Sequence, residues 1–319
     1  MGYLSAVICL LGWGFADLFY KMSSDEDDKY SHLKIAVWVG LVMGVCALFL
    51  LPFSETSFTG ALLATNCVKY FPASLCYILS MVIGYAGLRY LEVSIVSPVQ
   101  NSSGGLAALA MICWLILVGK GNTIVEEYKA IDLFGIIFCV VGVVLLAVVE
   151  RQADRGQIDA KKQGLSHGAK ALIFPILYCV FDTIGTAADG IILDEETGLG
   201  LGEIDVIVLY GLTFFAIGIG AWIFLLVKER KAYNPFKLKE IKTKGVAALF
   251  EEFGQVFYVY AMAQKPVAAA PIVASYCIVS VVLSGLILKE RLKKSQYLCV
   301  AIVILGIVIL GISEGLSEV

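Results

Sequence analysis

The residues best suited to chemistry in this chain are carboxylates set in apolar sequence. Glu251 and Glu252 stand side by side in the apolar run Thr243 to Ala263. A charged residue at the centre of a bilayer costs roughly 2.5 to 3.5 kcal/mol, so two acids there call for a partner or a function. Glu251, Gln255, Tyr258 and Met262 share one helical face, while Glu252 points about 100° away and still has Gln255 as a neighbour. At least one of the pair is expected to face the interior of a helix bundle. A carboxyl withdrawn from water beside a like charge resists ionisation, which suits it to hold a proton and release it when the site opens to water. The alternative is a carboxyl kept neutral or paired for packing alone.

Two further acids carry aromatic neighbours at helical spacing. Trp13, Asp17 and Tyr20 fall at i, i+4 and i+7, a carboxylate between rings that would hold a cationic amine by charge and by ring-face attraction. The competing reading has Asp17 near a helix end, reaching outward to Lys21. Asp182 shares a face with Tyr178 and Thr186 and has no lysine nearby in its helix. Pro98 is followed by Gln100-Asn101-Ser102-Ser103-Gly104-Gly105, a polar cluster compatible with a locally opened helix, which membranes tolerate only against protein or a water-filled cavity. Tyr276, Ser280 and Ser284 recur every four residues, a spacing shared by close helix contacts and binding surfaces; Gly40 and Gly44 read as packing.

The elements that must position these groups are apolar runs. Of 319 residues, 59% are apolar and 16% charged, and the mean hydropathy is +0.86, so the chain reads as an integral membrane protein. Ten runs are long enough for a bilayer core of about 30 Å: Gly2 to Tyr20, Leu33 to Phe53, Tyr70 to Tyr90, Val93 to Gly119, Ala130 to Val149, Gly168 to Ala188, Ile204 to Val227, Thr243 to Ala263, Val267 to Leu288 and Ser295 to Ile312. The first lacks a basic leader and a cleavage signature and is expected to be retained. Little chain remains for a soluble catalytic domain. No phosphate-binding glycine loop, dinucleotide fingerprint or nucleophile elbow is present, so no cofactor and no enzyme activity are expected. The nine cysteines lie in or beside the runs and read as small apolar fillers, and His32 and His167 lie in different loops, which argues against a metal site.

The polar stretch 151 to 167 divides the chain into two five-helix halves, 1–150 and 168–319. Trp13 to Asp17 aligns with Tyr178 to Asp182, Ile95 to Pro98 with Ala268 to Pro271, and Gly142 onward with Gly306 onward, all in the same order. Five is odd, so the second half enters from the other side. The expected architecture is an all-α integral membrane protein of ten transmembrane helices, two inverted five-helix repeats around a central cavity. Of the 24 basic residues, 20 fall in odd-numbered connections and 4 in even ones, which predicts odd loops in the cytoplasm, both termini outside and the acidic 189 to 205 connection outside. The basic residues flank membrane segments, so nucleic acid is not an expected partner.

Together the tandem halves, Trp13-Gly14, the Glu251, Glu252, Gly254 pattern, Ala270-Pro271-Ile272 with Ser275-Tyr276, and Leu288-Lys-Glu290-Arg291-Leu292 resemble the EamA branch of the drug/metabolite transporter superfamily over nearly the whole chain. The resemblance implies ten helices around a central cavity and secondary transport of small metabolites; the first-half counterpart of the Glu-Arg-Leu close, Gly119-Lys-Gly121, lacks the acid. It also implies cytoplasmic termini, against the charge count. The resulting expectation is a multi-pass plasma-membrane transporter of a small polar molecule, an amine or amino acid, working by alternating access with protons as a coupling ion. Glu251, Glu252, Asp17, Asp182, Gln255, Asn101 and Ser102 would supply polar contacts and Trp13, Tyr178, Tyr258 and Tyr276 rings. A non-transporting membrane receptor or scaffold is the alternative.

Overall fold

The computed structural model describes residues 2–23, 28–54, 60–87, 100–158, 173–194, 198–199, 201–228, 233–287 and 294–315. Among these, regular structure is helical throughout: α1 (Gly2–Ser23), α2 (Ser31–Leu50), α3 (Gly60–Gly87), α4 (Ser103–Leu117), a short α5 (Gly121–Glu127), α6 (Ala130–Ile158), α7 (Ile173–Ile192), α8 (Glu203–Lys228), α9 (Val246–Gln264), α10 (Pro266–Ala274), α11 (Tyr276–Ile287) and α12 (Lys294–Gly315). Six segments are long and apolar enough to cross a membrane, with Pro266–Ile287 counted as one, and Ser103–Leu117, Ala130–Leu146 and Lys294–Leu310 are shorter apolar helices.

Burial is inverted relative to a protein in water. Leu117, Val227 and Phe49 are 82, 76 and 72% exposed, whereas Glu251 and Asp189 are 5 and 2% exposed. Only a hydrocarbon surround makes that arrangement favourable, because it leaves large apolar side chains outside and satisfies polar groups inside.

Four helix pairs dominate the packing: α2 with α8, α6 with α12, α1 with α9 and α3 with α7; α4 lies on α10 and α7, and α1 also meets α10 and α11. Between helices in lipid, close van der Waals approach replaces the hydrophobic drive, so small residues mark the contacts. A Cβ on Gly40 would stand 2.5 Å from the Phe214 carbonyl oxygen and 2.7 Å from the Gly218 Cα, and one on Gly12 would stand 3.0 Å from the Gly254 Cα. Gly44 lies against the Phe215 ring, so the Gly40/Gly44 pair is packing, as its spacing predicts.

Two spans are broken. Gln100 and Asn101 are separated from α4 by a turn at Ser102, and α10 passes to α11 through Ser275, whose backbone N–H bonds the Ile272 carbonyl (3.0 Å) and whose hydroxyl bonds that of Pro271 (2.7 Å). The breaks are 173 residues apart, the same offset that aligns Pro98 with Pro271.

Boundaries differ from expectation in several places, α3 among them, which begins at Gly60 and not at Tyr70. The helix of α6 continues through Arg151 to Ile158, since Arg-Gln-Ala-Asp-Arg holds good helix formers, and 159–167 lie outside the described residues. The 189 to 205 stretch is not wholly a connection: α7 continues through Asp189 to Ile192 and α8 already includes Asp205. Both acids are buried and hydrogen-bonded, Asp189 to tyrosines and Asp205 to the Ser54 hydroxyl, and those donors let them stay in the bundle. Pro98, the 289–292 close, His167 and the Ser284 side chain lie outside the described residues.

The two ends of the bundle are held differently. At the basic end Lys34 pairs with Asp28 (2.8 Å) and sits over the Tyr233 ring (5.2 Å), Tyr233 donates to Glu240 (3.0 Å) and Lys244 pairs with Glu240 (3.0 Å). At the other end Tyr3 of α1 donates to Asp132 of α6 (3.1 Å), and the Val267 N–H donates to the Tyr128 hydroxyl (3.3 Å).

Candidate functional site

The centre is built on Trp13. Its ring stacks on Tyr258 of α9 (centroids 5.3 Å apart), meets Tyr276 of α11 edge-on (6.0 Å) and tilts against Tyr77 of α3 (6.1 Å). Its indole N–H donates to the Glu251 main-chain carbonyl at 3.2 Å. The ring lies directly on Gly254, so any Cβ there would enter it. The acid-x-x-glycine spacing of α9 thereby sets the helix rotation: Gly254 against Trp13 turns Glu251 inward.

A cavity of about 50 Å³ lies beside this ring cluster, lined by Asp17 and Glu251, the Gln100 amide, and Tyr20, Tyr85 and Tyr178 among others. At roughly 10 to 15 Å³ per water, that is space for a few water molecules. Its lining includes no lysine, arginine or histidine among the described residues. Asp17 accepts a hydrogen bond from Ser280 of α11 at 2.5 Å.

A second cavity of about 20 Å³ shares Trp13, Tyr77, Tyr178 and Tyr276 with the first and adds Asp182, Asn101, Ser103 and Thr186. Asp182 accepts from Ser103 at 2.6 Å and from Ser80 at 3.4 Å. The shared aromatic residues lie between two polar chambers, the first holding Asp17 and Glu251 and the second Asp182.

Asp17, Glu251, Trp13, Tyr178 and Tyr276 line the first chamber, and Asp182, Asn101 and Tyr258 the second. Glu252 lies outside both, buried, with the Cys46 thiol of α2 as hydrogen-bond partner. Gln255 is 1% exposed, is absent from either lining, and neither amide atom has a hydrogen-bond partner among the described residues. Ser102 forms the turn before α4 and lines neither cavity. Sequence reasoning missed Tyr20's neighbour Tyr85, Ser80, Tyr77 and above all Asp189, whose carboxylate accepts from Tyr70 (2.7 Å) and Tyr258 (2.9 Å). Asp189 follows Asp182 by seven residues on one helical face, and that spacing was a usable signal. None of the nine cysteines forms a disulfide, and no group of three or more potential ligands is placed for a metal ion among the described residues.

Fold and site together define a multi-pass helical membrane protein with a polar, aromatic-lined centre. Residues 197–312 match the model of the EamA-like transporter family. No curated protein sequence matches. A solved structure titled "Crystal structure of protein" superposes on 97% of this chain and 95% of its own length with a TM-score of 0.59 at 11% identity, a likeness of fold alone.

Proposed function

We propose that the protein is a secondary transporter of a small cationic amine or amino acid, working by alternating access across the plasma membrane with a proton as coupling ion. Its ten transmembrane helices would be two inverted repeats, residues 1–150 and 168–319 joined by 151–167, with α10 and α11 forming one span. The helix pairing supports this. Exchanging each helix of one half for its counterpart turns the α1–α9 pair into α7–α3 and the α1–α11 contact into α7–α4, and leaves α2–α8, α6–α12 and α4–α10 unchanged.

The observation that carries the reading is the equivalence of Asp17 and Asp182. They are aligned in the first helix of each half, each accepts a bond from a serine of the other half's fourth span (Ser280 and Ser103), and each lines a chamber at the seam. Carboxylates among tyrosine and tryptophan faces, with no base in the first lining, suit a cation, each ring contact contributing about 0.5 to 2 kcal/mol. The first chamber is too small for a metabolite, so entry needs the helices to part. Its acids lie near the basic end of the bundle, and positive-inside loops put that end in the cytoplasm.

Purified protein in liposomes, offered a panel of small amines and amino acids with and without a pH gradient, tests this. Uptake accelerated by the gradient and lost in Glu251→Gln supports it. A protein that folds yet moves none of the panel is a receptor or scaffold.

A further inference from the structure

Asp189 lines neither chamber, yet it is 2% exposed and bonded to two other helices. Seven residues past Asp182, it stands on the same face of α7, about 10 Å further along the axis. Its carboxylate oxygens accept from Tyr70 of α3 (2.7 Å) and Tyr258 of α9 (2.9 Å). Between the two acids, Thr186 lines the second chamber and its hydroxyl is a hydrogen-bond partner of the Tyr258 hydroxyl. Asp182, one water-sized space, the Thr186 and Tyr258 hydroxyls and Asp189 thus form a continuous polar track. It runs apart from the chamber that holds Asp17 and Glu251.

Every hydroxyl and water on such a track both accepts and donates. We propose that this track carries the coupling proton between the centre and the end of the bundle opposite the basic loops, with Asp189 as its outer station. The proposal rests on the transport reading above and gives the proton a route separate from the substrate. In the transfer, the Asp182 carboxyl gives its proton to water in the second chamber. That water gives one of its own to the Tyr258 oxygen, and the Tyr258 O–H proton passes to the Asp189 carboxylate. Water and tyrosine end with the protons they began with, and the negative charge has moved from Asp189 to Asp182.

The groups facing Asp189 are Tyr70 and Tyr258, with Tyr210 of α8 behind Tyr70 (ring centroids 6.4 Å) and Asp182 on its own helix. Those facing Asp182 are Ser80 and Tyr77 of α3, Ser103 of α4, Tyr276 of α11, Tyr178 and Cys179 of its own helix, and Glu251 of α9 at longer range. Met111, Met262 and Pro266 pack against Gly190, the residue after Asp189 in α7.

One arm of the test needs no substrate. In the full chain carrying Trp38→Phe, Trp114→Phe and Trp222→Phe, emission comes from Trp13, which stacks on Tyr258, and is followed against pH. Asp189→Asn is expected to remove a component of that titration that Asp189→Glu and Glu251→Gln retain; a titration superimposable on the parent overturns the proposal. If Asp189→Asn does not elute as a single folded species, Tyr70→Phe, which keeps the acid and removes one donor, is expected to shift the same component, and no shift overturns it. The second arm uses liposomes and tyramine. Uptake driven by a pH gradient is expected to be lost in Asp189→Asn while tyramine counterflow without a gradient persists; intact gradient-driven uptake overturns the route. If no variant and no parent moves tyramine, the transport reading fails for that amine, and the emission titration still decides on Asp189.

Discussion

The Trp13 indole N–H donates to the main-chain carbonyl of Glu251 across 3.2 Å, joining α1 to α9 beside the first chamber. Because the acceptor is backbone, neutralising the Glu251 side chain leaves this anchor in place. The side chain of Glu251 and the position of Trp13 are therefore separable by mutation.

Trp13→Phe keeps a ring and removes the bond, and is expected to destabilise by about 0.5 to 1.5 kcal/mol. Trp13→Ala also removes the stacking on Tyr258 and is expected to cost about 3 to 5 kcal/mol. Thermal unfolding in detergent ranks the two, and equal midpoints would contradict the anchoring role.

The adjacent acids are expected to behave differently. Glu251 lines the first chamber and Glu252 meets Cys46 outside it. In liposomes, Glu251→Gln should abolish gradient-driven uptake and Glu252→Gln should retain most of it. Equal loss in both would mean that lining the chamber does not matter.

Gly40→Ala places a methyl 2.5 Å from the Phe214 carbonyl oxygen, which must move. Overpacking of this kind costs about 1 to 3 kcal/mol, so the unfolding midpoint should fall. Gly220, with open space around its Cβ position, is the control expected to change little on Gly220→Ala.

A pH effect is expected at the basic end. Burial alone would raise the Asp28 carboxyl, but the hydrogen bond from Lys34, the Tyr30 N–H and the Lys34 and Lys244 charges outweigh it and hold Asp28 below its ordinary value. A depressed carboxyl contributes stability that is complete above its unfolded value and is lost as pH falls through the folded one. The difference in melting temperature between parent and Asp28→Asn should accordingly shrink as pH drops below the ordinary carboxylate range. A gap that widens on acidification would contradict the pairing.

The apolar runs were legible because an unbroken hydrocarbon-length stretch has few other readings, and Asp17, Asp182 and Glu251 stood out because charges in such stretches are rare. The breaks at Ser102 and Ser275 were partly legible from Pro271 and from the amides, hydroxyls and glycines after Pro98. Asp189 was missed despite its seven-residue spacing from Asp182, because it lies just ahead of the acidic Asp194-Glu195-Glu196 run and looks like the edge of a loop. Its donors, Tyr70 and Tyr258, stand 119 and 69 residues away, a meeting that only tertiary packing creates. Local spacing likewise did not separate Glu251 from Glu252, since the choice follows from how Gly254 seats on Trp13.

The central claim is that water reaches Asp17 and Glu251 in a chamber between the two halves. Met81 is 5% exposed and lines that chamber. With the nine native cysteines replaced, Met81→Cys in sealed vesicles of known orientation should react with a membrane-impermeant thiol reagent added on the side of the basic loops, and a transported amine should slow the reaction. No reaction from either side, with a lipid-soluble reagent still labelling the thiol, would contradict the account.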